Sequence, residues 1–100
     1  MSLSLAQLTE EMHAFVASKG FYQPDSKRPQ VPRNLAISLV LEASEVLEHY
    51  QWGERADPGE LADELADVAL YLLQLASLSG IDLEAAILNK LRKNQKREWP

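Results

Sequence analysis

Apolar residues recur along most of the chain at intervals of three and four, which is the spacing of one face of an α-helix. The first such segment lies between the capping pattern Ser4-x-x-Gln7 and Gly20. Its apolar stripe consists of Leu5, Leu8, Met12 and Phe15. This pattern predicts an amphipathic helix at the start of the chain.

Three further helical segments follow, separated by turn-forming residues. Residues 21–34 contain prolines at 24, 29 and 32 and predict a loop or an extended arm. The later helices are predicted over Pro32 to about Trp52, from the cap Asp57-Pro58 to about Ser79, and from the cap Asp82 to about Arg97. No segment alternates as a half-buried strand does, so the predicted fold is all-α, a four-helix bundle-like single domain over residues 1–100.

The second and third predicted helices are apolar over most of their circumference. Helices of this kind need cover on more than one side. A chain of 100 residues has difficulty supplying that cover alone. We therefore expect a homo-oligomer.

Composition and charge exclude several functional classes. The formal net charge of −5 argues against a nucleic-acid groove, and the absence of cysteine excludes disulfides and thiolate chemistry. We expect neither a signal peptide nor a membrane span, and hence a cytoplasmic protein. Five of the ten basic residues nevertheless lie in the last eleven positions. They either complement a helix C-terminus or face phosphate groups.

Two pairs of acidic residues carry the strongest chemical signal. Glu42 and Glu45 are three positions apart, as are Glu64 and Asp67, so each pair points from one side of its helix. Glu42 falls in an apolar stripe and Asp67 in an apolar run, where buried core residues are expected. The connection between the two helices is short, so the pairs are predicted to face each other across the bundle.

Four converging carboxylates repel one another unless cations lie between them. Ligation by oxygen alone selects hard ions such as Mg²⁺ or Mn²⁺, which suits metal-assisted attack of water on a phosphoryl group. The simpler interpretation is that these acids are solvated or pair with Lys and Arg. A di-iron site is disfavoured because it needs Glu-x-x-His on two helices. The chain has two histidines, His13 and His49, and the residue three before His49 is Val46.

At these residues the sequence resembles the MazG-like, all-α nucleoside triphosphate pyrophosphohydrolases, and most closely the small dCTP pyrophosphatases. The shared pattern is Glu42-x-x-Glu45, a gap of eighteen, and Glu64-x-x-Asp67. Its flanks also match: Pro32-Arg33-Asn34-Leu35, Gln51-Trp52 and Lys90-x-x-x-Asn94. The resemblance covers nearly the whole chain, although the proline-rich arm is longer than in the relatives.

The resemblance implies hydrolysis of a (deoxy)nucleoside triphosphate, such as dCTP or a modified dNTP, to the monophosphate and pyrophosphate, as in cleaning of the nucleotide pool. It implies that Mg²⁺ is held by Glu42, Glu45, Glu64 and Asp67, in a dimer or a dimer of dimers. It also implies a base pocket formed by His13, Trp52, Tyr71 and either Phe21 or Tyr22. The last choice is open because a one-residue gap shifts the match.

Other residues are predicted to serve the phosphates and the reaction. Lys90, Asn94 and Arg97 share one face of the fourth helix and would neutralise or hydrogen-bond phosphate oxygens. Asn34, at the start of the second helix, is either a cap or a contact. Among the metal-side carboxylates, Glu45 is predicted to accept the proton of the attacking water, with Glu42 the other candidate.

Two rival functions have support in the sequence. The apolar second and third helices also suit a non-catalytic module that binds a nucleotide or a partner helix. The basic C-terminal segment allows a weaker hypothesis of nucleic-acid binding, which the negative net charge opposes.

Overall fold

The computed structural model describes residues 2–100, and these form α-helices and turns without a strand. The helices are α1 (Leu5–Ser18), α2 (Pro32–Glu48), α3 (Pro58–Leu78) and α4 (Leu83–Lys96). The predicted all-α class is confirmed. The second helix ends at Glu48 and not near Trp52, because the backbone tightens there into bonds from residue i to i−3. One of these runs from Tyr50 N to Leu47 O, at 2.9 Å.

The predicted caps begin three of the helices. Ser4 Oγ accepts from Gln7 N at 3.1 Å, while Gln7 Oε1 accepts from Ser4 N at 2.8 Å. Asp57 accepts from the backbone of the third residue of α3, and Asp82 does the same for α4. Each carboxylate or hydroxyl satisfies a backbone N–H that lacks a partner within its helix.

The core is small and lies where α3 packs against α1 and α2. It contains five buried apolar side chains: Met12, Val16, Leu35, Leu73 and Ala76. Gln74 is buried among them and is 3% exposed. The helix α3 is therefore the central element, and it also carries Glu64 and Asp67.

The chain is open on the side away from this core. The axes of α3 and α4 differ by 103°, so α4 projects from the other helices. The radius of gyration is 15.9 Å, whereas a compact chain of this length has about 13 Å. Apolar side chains on α2 stay exposed, including Val40 at 67% and Leu47 at 71%. The cover expected for α2 is therefore not supplied by residues 2–100 of one chain.

The segment between α1 and α2, residues 21–31, is held against the helices by polar contacts; we call it the arm. Gly20 has a φ of 73°, a left-handed conformation that lets the backbone turn out of α1. Farther along, Asn34 Nδ2 donates to the carbonyl oxygen of Pro29 at 3.1 Å. Asn34 thus fastens the arm and is not the N-cap of α2, which is Val31.

Across residues 2–100, no single helix is both long and apolar enough to cross a membrane. Taken together, α3 and α4 meet the same criterion of length and composition, but the pair is sharply bent.

Candidate active site

The predicted acidic pairs meet between α2 and α3. One carboxylate oxygen from each of Glu42, Glu64 and Asp67 lies within 4.8 Å of the others. Glu45 adjoins both Glu42 and Glu64, and its carboxyl group raises the pKa of each. The i, i+3 spacing on each helix therefore produces the expected cluster. We call these four residues the acidic cluster.

The electrostatics of the acidic cluster are unfavourable without a cation. Oε2 of Glu42 and Oε2 of Glu64 are closed off from solvent and have no hydrogen-bond partner. Burial, then the hydrogen bond and charge of Glu45, raise the pKa of Glu42 to about 7. Burial and Glu45 also raise the pKa of Glu64. Both shifts show that the folded chain disfavours the ionised carboxylates.

A hard divalent cation fits this donor set. The two closed-off oxygens of Glu42 and Glu64 are acceptors that lack a donor. All the cluster's ligand atoms are carboxylate oxygens, the type that Mg²⁺ and Mn²⁺ prefer. A cation between them would satisfy both orphaned oxygens and offset the mutual repulsion.

Asp67 is not buried, which corrects the expectation drawn from its place in an apolar run. It is exposed, and its apolar neighbours Leu65 and Leu70 are also open, at 51% and 44%. The reason is that, within residues 2–100, the elements near this side of α3 leave an open cavity beside Asp67. Asp67 therefore needs no compensation for burial, and the unfavourable desolvation falls on Glu42 and Glu64.

His49 adjoins the acidic cluster, and the sequence analysis did not assign it there. Its Nε2 lies 3.8 Å from Glu64 Oε1, and its positive form lowers the pKa of Glu64 against the other influences. His49 is four residues after Glu45 and seven after Glu42, so it shares their face of α2. That spacing was the available signal.

A cavity of about 350 Å³ opens beside Asp67. Its walls are mainly apolar and aromatic, and they include Met12, Phe15, Phe21, Leu70 and Tyr71. Gln30, Arg28 and Gln74 also reach it. Between the two alternatives for the aromatic wall, Phe21 lines this cavity, whereas Tyr22 contributes its hydroxyl to a polar network described next. We call this space the aromatic cavity.

His13 is engaged within the chain at both ring nitrogens. Nδ1 lies 2.5 Å from Tyr22 Oη, and Nε2 lies 2.7 Å from Ser77 Oγ. Tyr22 Oη also accepts from Gln74 Nε2 at 3.2 Å. His13 therefore ties α1 to the arm and to α3. Its predicted contact with a base stays a prediction, one that requires an exchange of these partners.

A second cavity, of about 270 Å³, also borders Tyr71 and is polar. The arm contributes Lys27 and Arg28 to it, and α2 contributes Asn34 and Ser38. Arg28 and Tyr71 border both cavities. The prolines of this segment predict a loop, and that pattern does not identify its two cations as site residues. Two positive side chains in an acidic protein were the available signal.

The remaining predicted contacts lie away from these cavities. Trp52 is 91% exposed on the turn after α2. Lys90, Asn94 and Arg97 on and after α4 border neither cavity beside Tyr71. Arg97 stacks on Trp99 with its guanidinium carbon 4.3 Å from the ring centroid. One chain thus assembles the acidic cluster and one aromatic wall, and leaves Trp52 and the α4 residues outside.

Comparison with known proteins supports a single family. The model of the MazG-like family matches residues 37–99, a range that contains the whole acidic cluster. The dCTP pyrophosphatase 1 of Rattus norvegicus is 38% identical over 76 residues, covering 66% of this chain and 45% of the relative. The human dCTP pyrophosphatase 1 has the same identity and coverage. This chain therefore spans less than half the length of these relatives.

A solved structure extends the likeness to the fold. The crystal structure of a pyrophosphatase from Archaeoglobus fulgidus superposes with a TM-score of 0.79 at 30% sequence identity. The match covers 96% of this chain and 93% of that chain. A dATP/dGTP diphosphohydrolase of Salmonella phage PMBT28 is 50% identical over 38 residues, but these are only 13% of its length.

Proposed function

Since the chain belongs to the MazG-like family, we propose that it hydrolyses a (deoxy)nucleoside triphosphate to the monophosphate and pyrophosphate. The observation that carries this proposal is the acidic cluster, in which two closed-off carboxylate oxygens lack partners beside an aromatic cavity. The enzymatic names of the relatives support the same reaction class. The favoured substrates are dCTP and related or modified dNTPs.

Glu42, Glu64 and Asp67 would hold Mg²⁺, with Mn²⁺ as an alternative, and Glu45 would complete the ligand set. When bound, such an ion neutralises charge on phosphate oxygens and lowers the pKa of coordinated water. The chain's own contribution is to fix these carboxylates on two packed helices. Asp67 is exposed and lines the aromatic cavity, so it is the carboxylate through which the acidic cluster would meet a triphosphate bound there.

Glu45 is the proposed proton acceptor. Its side chain is exposed, and it adjoins both Glu42 and Glu64. An exposed carboxylate can accept a proton from water and pass it to solvent. Glu42 is the less suitable of the two candidates because it belongs to the three-residue group that would hold the cation, where its lone pairs would be used for ligation.

The base would lie in the aromatic cavity against Tyr71 and Phe21. Aromatic faces stack on nucleobases of any identity. Lys27 and Arg28 of the arm border the polar cavity together with Tyr71 and can neutralise phosphate charge. They add to the site within one chain, whereas Lys90, Asn94 and Arg97 line neither cavity.

We further propose that the protein is a homo-oligomer and that a second copy completes the site. The exposed apolar faces of α2 and α4 need cover, and Trp52 is almost fully exposed. A second copy lying on these faces could bring Trp52 and the predicted phosphate contacts Lys90, Asn94 and Arg97 toward an acidic cluster. A dimer or a dimer of dimers would satisfy this arrangement.

The reaction is tested by measuring pyrophosphate release from dNTPs with Mg²⁺, with excess chelator, and with Glu64→Gln protein. We expect turnover only with the cation, and a loss of at least about a hundredfold in kcat for Glu64→Gln. Glu48→Gln is the matched control, because Glu48 is an exposed glutamate on α2 outside the cluster. Thermal stabilisation by Mg²⁺ and dNTP without any turnover would favour a non-catalytic binding module instead.

A further inference from the structure

A buried amide lies at the inner wall of the aromatic cavity. Gln74 is 3% exposed and is the buried polar residue of the core. It also lines the aromatic cavity together with Tyr71, which is three residues earlier on the same face of α3. A buried glutamine must satisfy its amide group, so its partners determine what it can offer to a ligand.

The hydrogen bonds of the arm fix the orientation of this amide. Gln30 donates from Nε2 to the backbone carbonyl oxygen of Arg28 at 2.6 Å. A carbonyl oxygen only accepts, so Nε2 of Gln30 must face it and Oε1 of Gln30 must face the other way. Gln74 donates from Nε2 to this Oε1 at 2.7 Å. The backbone of the arm thus fixes the orientation of both side-chain amides, that of Gln30 directly and that of Gln74 through Gln30.

The second amide hydrogen of Gln74 is also committed. It points to Tyr22 Oη at 3.2 Å, and that hydroxyl can pass its own hydrogen to His13 Nδ1. With both hydrogens in use, the remaining polar atom of the side chain is Oε1. Within residues 2–100 it has no hydrogen-bond partner, yet it is not among the closed-off atoms, which belong to Glu42 and Glu64.

We infer that Gln74 Oε1 is the acceptor that reads the base in the aromatic cavity, and that it selects bases bearing an exocyclic amino group. This inference rests on the proposed function, because it assumes that a nucleotide binds there. An amino group, as in cytosine or adenine, donates to Oε1. A keto group at the same place, as in uracil or hypoxanthine, sets two acceptors against each other and leaves both unpaired.

Gln30 is the positioning residue for this contact. It lies in the arm, and it donates to the backbone carbonyl oxygen of Arg28. Its Oε1 accepts from Gln74 Nε2, so a rotation of the Gln74 amide by 180° would set two oxygens against each other. Removing that acceptor would let either end of the Gln74 amide face the base. Selection between amino and keto bases should then weaken although Gln74 is intact.

The test compares kcat/KM for dCTP with that for dUTP, and for dATP with that for dITP. The wild-type protein should prefer the amino base by about tenfold or more in any pair that it accepts. Gln74→Met and Gln30→Met should each reduce the preference to about twofold or less. Gln30→Glu keeps an acceptor toward Gln74 and should retain the preference. Equal use of dCTP and dUTP by the wild type, or an unchanged preference in both Met variants, would overturn the inference.

A binding measurement separates this inference from the proposed reaction. Calorimetric titration with dCMP and dUMP should show the same preference in the wild type and its loss in Gln74→Met, whether or not triphosphates are hydrolysed. Absence of turnover with a preference for dCMP would reject the reaction and keep the base contact. Equal affinity for the two monophosphates, or binding of neither, would reject the base contact. If Gln74→Met does not fold, as judged by circular dichroism, Gln30→Met on the arm carries the same comparison.

Discussion

Glu42 is the residue in which the conflict between folding and function is clearest. Its carboxylate is held next to Glu45, with Asp67 and Glu64 also near, and its Oε2 has no partner. Burial and these neighbours raise its pKa from 4.5 to about 7. A raised acid pKa means that the folded protein holds a proton which the unfolded chain has released. The metal-free fold is then strained at neutral pH, where a cation would relieve it.

The first prediction concerns the pH dependence of stability. The pKa of Glu42 is higher in the folded protein, about 7, than in the unfolded chain, 4.5. The stabilisation of the fold by the protonated Glu42 is therefore fully present below about pH 4.5 and is lost as the pH rises toward 7. Glu42→Gln protein should therefore lose less stability than the wild type across this window. Thermal denaturation in chelator at several pH values measures the difference. Parallel curves for the two proteins would contradict the assigned pKa shift.

The second prediction contrasts the two carboxylates that the sequence placed in apolar patterns. Glu42→Gln should raise the metal-free melting temperature at pH 7.5, because it removes a partly buried charge that lacks a counter-ion. Asp67→Asn should change it little, since Asp67 is exposed. Both variants should lose pyrophosphate release. A large stabilisation by Asp67→Asn would show that Asp67 is more enclosed than its exposure here indicates.

At the scale of the helices, α3 is the element on which the site depends. It carries Glu64, Asp67, Tyr71 and Gln74, and it packs against both α1 and α2. Its start is fixed by Asp57, which accepts from Glu60 N at 3.0 Å. Weakening this cap should therefore affect the whole fold and not one end alone.

The third prediction follows from that cap. Asp57→Ala should cost about 1 kcal/mol of unfolding free energy. In a domain of this size that corresponds to a fall of about 4–8 °C in melting temperature. Asp63→Ala is the control, since Asp63 is exposed farther along α3 and makes no cap. Equal losses in the two variants would contradict a specific role for the cap.

Local signals in the sequence were sufficient for the helices and for the acidic cluster. Ser4, Asp57 and Asp82 act at short range, and the i, i+3 spacing of the acids is a property of any helix. The helix α2 ends earlier than the sequence predicts. Apolar residues through Tyr50 continue the helical pattern, while the backbone after Glu48 changes to hydrogen bonds between residues i and i−3. Periodicity does not register such a change of turn type.

Long-range contacts could not be predicted in the same way. The exposure of Asp67 depends on which side of α3 its neighbours leave open. The network from His13 through Tyr22 to Gln74 joins α1, the arm and α3, and the sequence separation of Tyr22 and Gln74 is 52. No periodic pattern encodes a contact of that separation. His49 is a different case, because its spacing of four from Glu45 is a local signal for a shared helix face.

At the scale of the molecule, the isolated chain is too open to account for its own apolar surface. The α4 helix projects, and Ile87, Leu88 and Leu91 on it are 42–52% exposed. Apolar surface in patches of this kind marks an interface. We propose that a second copy of the chain, as in the predicted homo-oligomer, covers this apolar surface.

The fourth prediction is therefore a solution mass that is a multiple of 11.2 kDa, measured by sedimentation equilibrium. Val40→Glu on α2 should lower that mass and reduce activity, because a charge would have to be buried at the interface. Arg55→Glu, on the loop before α3, is a surface control that also changes a charge. A monodisperse mass of 11.2 kDa with full activity would contradict assembly.

The central claim is that the acidic cluster serves cleavage of a nucleoside triphosphate between its α- and β-phosphates. The most direct measurement is ³¹P NMR of the products formed from dCTP and Mg²⁺ by the wild-type and Glu64→Gln proteins. We predict equimolar dCMP and pyrophosphate from the wild type, and intact dCTP with Glu64→Gln. Formation of dCDP and orthophosphate, or unchanged dCTP in both samples, would contradict the claim.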